Sequence, residues 1–210
     1  MISERDLSGF SAFLNFLRFR SETPERPWLI TATFPRGNSK PVESEPSRIK
    51  TLVTAKLGTS GQYVTTMAKN NDALIAINGG GFDDPNFNST GGSPLGITVS
   101  KGKYVTSKSY AGSGGVIGFT DEDKLVLGKM SVTKSKEMEI RDAVTFGPFL
   151  IVNGESAFVK GNGGWGTAPR SAIGQRKDGI VLFLVTEGTH TKGPNLKEVV
   201  DVLEKYGAYN

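Results

Sequence analysis

Ala73-Leu74-Ile75-Ala76-Ile77-Asn78-Gly79-Gly80-Gly81-Phe82-Asp83-Asp84 decides how this chain is read. Five apolar residues bounded by breakers predict a buried strand over 73–77. The strand stops at an amide, three glycines, an aromatic ring and two carboxylates. Successive glycines at a strand end serve where the backbone takes positive φ or approaches another group closely. The stretch therefore gathers an amide, bare backbone N–H groups and carboxylates in one small volume. A plain glycine-rich surface loop is the competing reading, and the rest of the chain must decide.

Upstream of that stretch, Ile49, Thr51, Val53 and Ala55 mostly alternate with more polar neighbours and predict a strand. Residues 64–69 read as one or two helical turns. Downstream, strands are expected over 96–99 and 103–106 around Lys101-Gly102, then over 115–119 and 124–127 around an acidic turn. Residues 143–146 precede Gly147-Pro148, and 149–152 turn at Asn153-Gly154 into 155–159, an Asn-Gly hairpin signal. A further hairpin joins 171–175 to 180–186 through Lys177-Asp178-Gly179. Leu196, Val199, Val200, Leu203 and Tyr206 give one apolar face to a helix over 195–206, which Gly207 ends at C′.

Near the N-terminus, Leu7, Phe10, Phe13, Leu14 and Leu17 have the i, i+3, i+4 spacing of a short amphipathic helix over 7–19. Residues 23–46 hold five prolines around Trp28-Leu29-Ile30, read as a strand and then a loop. The expected organisation is an N-terminal helix and linker, 1–45, packing on a main domain, 46–210. With roughly ten strands and three helices, the fold class is α+β: a mixed, largely antiparallel sheet core with a few flanking helices.

Composition narrows the chemistry. The 27 glycines among 210 residues are spread over many turns, which suits a loop-rich β protein. A net charge of +4, without a basic stripe interleaved with aromatics, permits an anionic ligand but gives no nucleic-acid footprint. No cysteine and a single histidine exclude disulfides, thiolate metal sites and a multi-histidine zinc site. A metal would have to be a hard cation, Ca or Mg, on oxygen ligands. No run reaches the ~20 apolar residues of a membrane span, and the first residues lack a signal-peptide pattern.

Several residues carry candidate chemistry. Arg170 heads a strand after Gly161-Asn162-Gly163-Gly164-Trp165-Gly166, where a guanidinium suits two-point binding of phosphate or carboxylate. An ordinary surface ion pair is its plainer explanation. Glu187 follows the 181–186 run and reads either as a site carboxylate or as an exposed glutamate. His190 lies in a polar loop, as a proton shuttle or a solvated histidine. Asp83 and Asp84 are acid, base or hard-metal candidates, or turn formers before Pro85. Trp165, between glycines, is a sugar-stacking ring or a rim aromatic. Asn78 and Arg170 both stand at strand ends beside glycine loops, which predicts one shared pocket floored by Gly79, Gly80 and Gly81.

The series Ile77-Asn78-Gly79-Gly80-Gly81-Phe82, Pro94-Leu95-Gly96-Ile97, Lys101-Gly102-Lys103, Phe146-Gly147-Pro148-Phe149-Leu150, Asn153-Gly154, Arg170-Ser171-Ala172-Ile173-Gly174 and the last helix resembles, in order, the phosphodiester glycosidases. Many bacterial members of that family are described as exopolysaccharide-related. The resemblance implies hydrolysis of a sugar–phosphate diester on the sugar side. It implies Arg170, Glu187 and Asp83 as the catalytic set, and Asn78, Gly79, Gly80, Gly81, Phe82, Trp165, His190 and Asn210 as substrate-binding. It also implies a glycan or sugar-phosphate substrate and an extracellular or cell-envelope setting. A non-catalytic module for an anionic glycan is the alternative function.

Two departures stand out. The family commonly reads Asp-Gly-Arg where this chain has Glu187-Gly188-Thr189. It also usually continues past the helix into a strand and an Asn-Leu-Asp-Gly-Gly-Gly-Ser loop, of which Asn210 is the first residue. The expectation is therefore a groove left open beside the Asn78 strand, or one filled by a segment of another copy in a homo-oligomer.

Overall fold

The computed structural model describes residues 16–17, 42–84, 89, 91–108, 110, 114–157, 161, 163–186 and 193–210. The first half of these residues contains β1 (Phe16–Leu17), β2 (Val42–Ser44), β3 (Thr51–Leu52), α1 (Val64–Lys69), β4 (Ile97–Ser100), β5 (Lys103–Ser107) and β6 (Gly115–Thr120). Then come β7 (Leu125–Gly128), α2 (Val132–Glu137), β8 (Ile140–Phe146), β9 (Ile151–Val152), β10 (Glu155–Ser156), β11 (Arg170–Gln175), β12 (Val181–Thr186) and α3 (Leu196–Lys205). Five strands pair in the order β5-β4-β8-β6-β7 and three in the order β11-β12-β2. β1 with β3 and β9 with β10 form two-stranded pieces. The class is α+β, and every strand pairing described is antiparallel.

Strand periodicity explains the layering. Successive side chains of a strand point to opposite faces, and β12 is apolar on both. Val181 and Phe183 join Ile49, Ile77, Phe119 and Leu125 in a core between the two larger sheets. Leu182 and Leu184 turn the other way, onto Val199, Val200 and Leu203 of α3. β6 repeats the device: Phe119 enters the shared core, while Val116 joins Ile97, Val99, Ile140 and Ala143. Val132 and Met138, in and just after α2, pack on that second cluster. The layers therefore run α2, five-stranded sheet, three-stranded sheet, α3. Each such buried side chain contributes about 1.5–3 kcal/mol.

Local chemistry sets the element ends. Asn195 caps α3 by accepting from Glu198 N (3.0 Å), and Glu198 Oε2 accepts from Asn195 N (2.8 Å). Such a reciprocal capping box fills two otherwise orphaned donors. Gly207 follows the helix at φ +83°. The turns Lys101-Gly102 and Asn153-Gly154 have positive φ at both residues, the geometry that lets two-residue hairpins match strand twist.

A buried acid ties the sheet to its surroundings. Asp142 on β8 is fully buried. Its Oδ1 accepts from Thr51 N (2.8 Å) and Lys101 N (3.2 Å), and its Oδ2 from Arg141 Nη1 (2.9 Å). Arg141 in turn donates to the carbonyls of Pro46, Ile49 and Thr120 and pairs with Asp123. Burial pushes the Asp142 carboxyl above its usual range, opposed by the two backbone N–H bonds and by the Arg141 charge.

The structure departs from expectation at four places. Residues 73–77 form no strand: Ile77 is buried, yet no backbone hydrogen bond is made from Leu74 to Gly80 among the described residues. Of the apolar run only Ile77 is buried and Leu74 stands exposed, so the run neither finds a ladder partner nor is covered along its length. Phe16–Leu17 pair with Thr51–Leu52 as a strand, where helical spacing suggested the end of a helix; tertiary pairing overrides a short amphipathic pattern. The rest of that stretch and Trp28-Leu29-Ile30 lie outside the described residues. The strand expected over 49–55 shrinks to two residues, and α2, capped by Ser131 at Lys134 N, has no counterpart among the expected elements.

β11 has a free edge. Gln175 exchanges backbone hydrogen bonds with Tyr209 and Asn210, while Arg170 N and Arg176 N turn toward the β12 side. Backbone groups alternate sides along a strand, so Ser171 and Ile173 face outward, where no further strand pairs among the described residues. Ser171→Pro, at an exposed side chain with an outward N–H, should cost under about 1 kcal/mol of unfolding free energy in urea. Ala172→Pro, whose N–H faces β12, should cost about 3 kcal/mol or more. Equal costs would show that the edge assignment is wrong.

Candidate functional site

The open edge of β11 and residues 77–79 of the unladdered segment are two walls of one cavity of about 150 Å³. Ile77, Asn78 and Gly79 line it on one side and Arg170 to Ile173 on another; Phe146 to Ile151 and Trp165 contribute to its rim, and Asn210 lies at it too. Inside, Ile117, Phe119, Leu127 and Val144 make it apolar, with Thr51 and Asp142 at the interior. Thr51 is fully buried, and its Oγ1 meets no hydrogen-bond partner.

Arg170 is the main charged group of the cavity. Its backbone N donates to Thr186 Oγ1 (2.7 Å), which fixes the start of β11 against the end of β12. Its guanidinium folds back on the preceding loop, where Nη2 donates to Trp165 O (2.7 Å) and Gly166 O (3.3 Å). Gly164 and Gly166, at φ +71° and +61°, let that loop coil tightly enough to present both carbonyls. Arg170 Nε is buried and unpartnered, and no ion pair among the described residues involves this side chain. Burial lowers its pKa from the usual arginine value, though a guanidinium remains charged in proteins. A desolvated cation with an empty donor is poised for an anion. Carbonyl anchors that carry no charge hold its geometry without neutralising it.

The sequence-derived residues divide into three groups. Asn78, Gly79, Trp165, Arg170 and Asn210 come together at the cavity. Asn78 is exposed, and Asn210 Oδ1 accepts from Asn153 N (2.8 Å). Gly80, Gly81, Phe82 and Asp83 do not line it. Gly81 N donates to Thr145 O (2.9 Å), and a Cβ on Gly80 would stand 3.0 Å from that same carbonyl. None of the three glycines has positive φ; close approach to β8 is the physical demand. The floor of the cavity is therefore Gly79 with the β-sheet core, not all three glycines. Phe82 is bridged to Pro94, and exposed Asp83 uses its N–H on Ser93 O (2.8 Å). Asp84 Oδ1 accepts from Ser89 N (2.7 Å), which is turn chemistry. Glu187 and His190 lie outside the described residues.

Phe146 was missed by sequence reasoning. It ends β8 with 42% of its surface exposed, and strand alternation gave the only available signal. Asp142 was missed as well; a nonlocal partner such as Thr51, 91 positions away, leaves no local trace. Both Asp142 oxygens are engaged, and no group of three or more His, Asp or Glu among the described residues could hold a metal ion. No helix among them is long and apolar enough to cross a membrane.

With this geometry in view, comparison with known proteins is direct. A family model described as phosphodiester glycosidase matches residues 71–210, two thirds of the chain. The chain belongs to the phosphodiester glycosidase family. Among solved structures it is similar to the zebrafish N-acetylglucosamine-1-phosphodiester alpha-N-acetylglucosaminidase catalytic domain auto-inhibited by its pro-peptide. That match has a TM-score of 0.61 at 21% identity, over 94% of this chain and 74% of the other. A hypothetical protein from Synechocystis matches with a TM-score of 0.56 at 14% identity, over 82% of this chain and half of its own. At these identities the structures establish the shared fold. No curated protein matches by sequence.

The glycine geometry gives a direct check. Gly80→Ala forces a methyl group against the carbonyl of Thr145 in the middle of a sheet and should lower stability by about 1–3 kcal/mol. Gly81→Ala meets only ordinary contacts, at 3.5 Å from Phe146 and Tyr110, and should cost clearly less. Thermal or chemical unfolding of the two variants measures the difference; the reverse order would contradict this account of the loop.

Proposed function

We propose that the cavity binds a glycosyl phosphate diester, with Arg170 and Asn78 on the phosphate, and that the chain hydrolyses it on the sugar side. The observation that carries this reading is the buried Arg170 Nε, unpartnered at a mostly apolar cavity that the exposed amide of Asn78 also lines. Family membership supports the reaction class. In the proposed step, water oxygen bonds to the anomeric carbon while the bond from that carbon to the ester oxygen breaks. The phosphomonoester leaves with the bonding pair, and the water proton passes to a carboxylate. A phosphate needs less protonation on departure than an ordinary sugar alkoxide, so clamping its charge is the principal requirement.

Glu187 is the carboxylate we assign as base. It follows Thr186, the residue whose hydroxyl accepts from Arg170 N, directly in sequence. Asp83 is the weaker choice because it does not line the cavity. We assign the substrate to a surface glycan or exopolysaccharide, in an extracellular or cell-envelope setting, on the family resemblance. A binding module without turnover is the second reading. It is favoured by one observation: the only carboxylate lining the cavity among the described residues, Asp142, is already committed to structural bonds.

Arg170→Lys keeps the charge and loses the planar fork. Its affinity for a glycosyl phosphate diester, read by calorimetry, should fall by about 1.5–3 kcal/mol. Unchanged affinity removes Arg170 from the site. Glu187→Gln should bind the diester normally and release no free sugar; normal release by that variant dismisses Glu187 as base. Binding by the unaltered chain with no release of sugar at all selects the binding module.

A further inference from the structure

Two aromatic side chains stand exposed, Trp165 in the loop before β11 at 47% and Phe146 at the end of β8 at 42%. Both line the Arg170 cavity. Large aromatic rings are usually buried, because each removes 150–250 Å² from water when covered. Elsewhere among the described residues, the large exposed hydrophobics are Leu57, Tyr63 and Leu74, none of which lines the cavity. Exposure of two rings at one apolar cavity that also holds the Arg170 cation therefore suits a ligand with an apolar face and a polar edge.

The backbone fixes where each ring sits relative to the anion site. Trp165 O is the carbonyl that holds Arg170 Nη2, so the indole projects from the residue that positions the guanidinium. Phe146 follows Thr145, whose carbonyl accepts from Gly81 N, and its ring carbon lies 3.5 Å from where a Cβ on Gly81 would be. One ring thus belongs to the Arg170 wall and the other to the wall that carries Asn78 and Gly79. A pyranose presents C–H groups on its face and hydroxyls around its rim, which matches an aromatic surface flanked by hydrogen-bonding groups.

We infer that Phe146 and Trp165 are specificity-determining residues that receive the apolar face of the carbohydrate while Arg170 holds its phosphate. The inference rests on the proposed phosphate site and deepens it by separating two energetic roles. The anion is held by the guanidinium, and the choice between carbohydrate and non-carbohydrate esters is made by the rings. Neither ring is needed for the anion itself, since Arg170 is anchored to the backbone of Trp165 rather than to its indole.

The test uses the full chain with two probes, inorganic phosphate and a hexose 1-phosphate methyl diester, followed by calorimetry on each variant. Trp165→Ala and Phe146→Ala should each weaken the diester at least fivefold and leave phosphate affinity within twofold; Trp165→Tyr should recover most of the loss. A circular dichroism spectrum and melting midpoint matching the parent confirm that each variant is folded. Diester affinity unchanged in both alanine variants overturns the assignment. Equal losses for phosphate and diester also overturn it, since the rings would then act only by shaping the Arg170 site. If the parent chain binds neither probe, the phosphate site itself fails and the ring assignment falls with it; diester binding that survives Arg170→Lys while vanishing in the ring variants retains the rings and rejects the phosphate clamp.

Discussion

The antiparallel pairing of β11 with β12 sets where every group of the site stands. β12 is wedged between two apolar layers, with Val181 and Phe183 in the shared core and Leu182 and Leu184 under α3. Such two-sided burial fixes its register, because a slip of one residue would exchange the two faces. β11 is aligned to it over six residue pairs, from Arg170 opposite Thr186 to Gln175 opposite Val181. Arg170 consequently emerges at one determined end of the sheet, and its carbonyl anchors at Trp165 and Gly166 follow from the loop that must reach that point.

A second constraint is electrostatic. Arg141 and Arg170 are treated differently, and Arg48, whose Nε is also buried without a partner, does not line the cavity. Arg141 is saturated: it bonds three carbonyls and two carboxylates, and joins β8 to the segments around it. Arg170 is held by carbonyls alone and keeps a buried donor without a partner. An unsatisfied buried donor costs about 1–3 kcal/mol, more when the group is charged. A fold that satisfies one arginine fully and leaves the other short at a cavity is spending stability where a ligand can return it. Strain of that kind concentrates at functional sites.

Local chemistry was legible in the sequence, and nonlocal chemistry was not. The hairpins at Lys101-Gly102 and Asn153-Gly154 and the helix from Asn195 to Gly207 depend on neighbours a few residues apart, and the chain displays their rules openly. The joint placement of Asn78 and Arg170 was accessible because Asn78 ends an apolar run just before three glycines and Arg170 heads a strand just after a glycine-rich loop. By contrast, the unladdered state of 74–80 depends on which strands happen to be adjacent, and no periodicity reports it. Three glycines announced either positive φ or close contact; only the position of Thr145 O distinguishes the two. Phe146 stood only as the last residue of the strand expected before Gly147-Pro148, and its exposure is a property of where β8 ends.

The central claim is that Arg170 Nε is the vacant donor that receives the ligand's phosphate. The most direct measurement is an NMR titration of ¹⁵N-labelled protein, following the arginine Nε–Hε resonances as a hexose 1-phosphate diester is added, with Arg170 assigned by its absence in Arg170→Lys. The account expects the Arg170 Hε signal to move downfield along a saturable curve, as a hydrogen bond to an anionic oxygen forms, while the already saturated Arg141 signal stays in place. An Arg170 resonance that does not move while calorimetry shows the diester bound would contradict it.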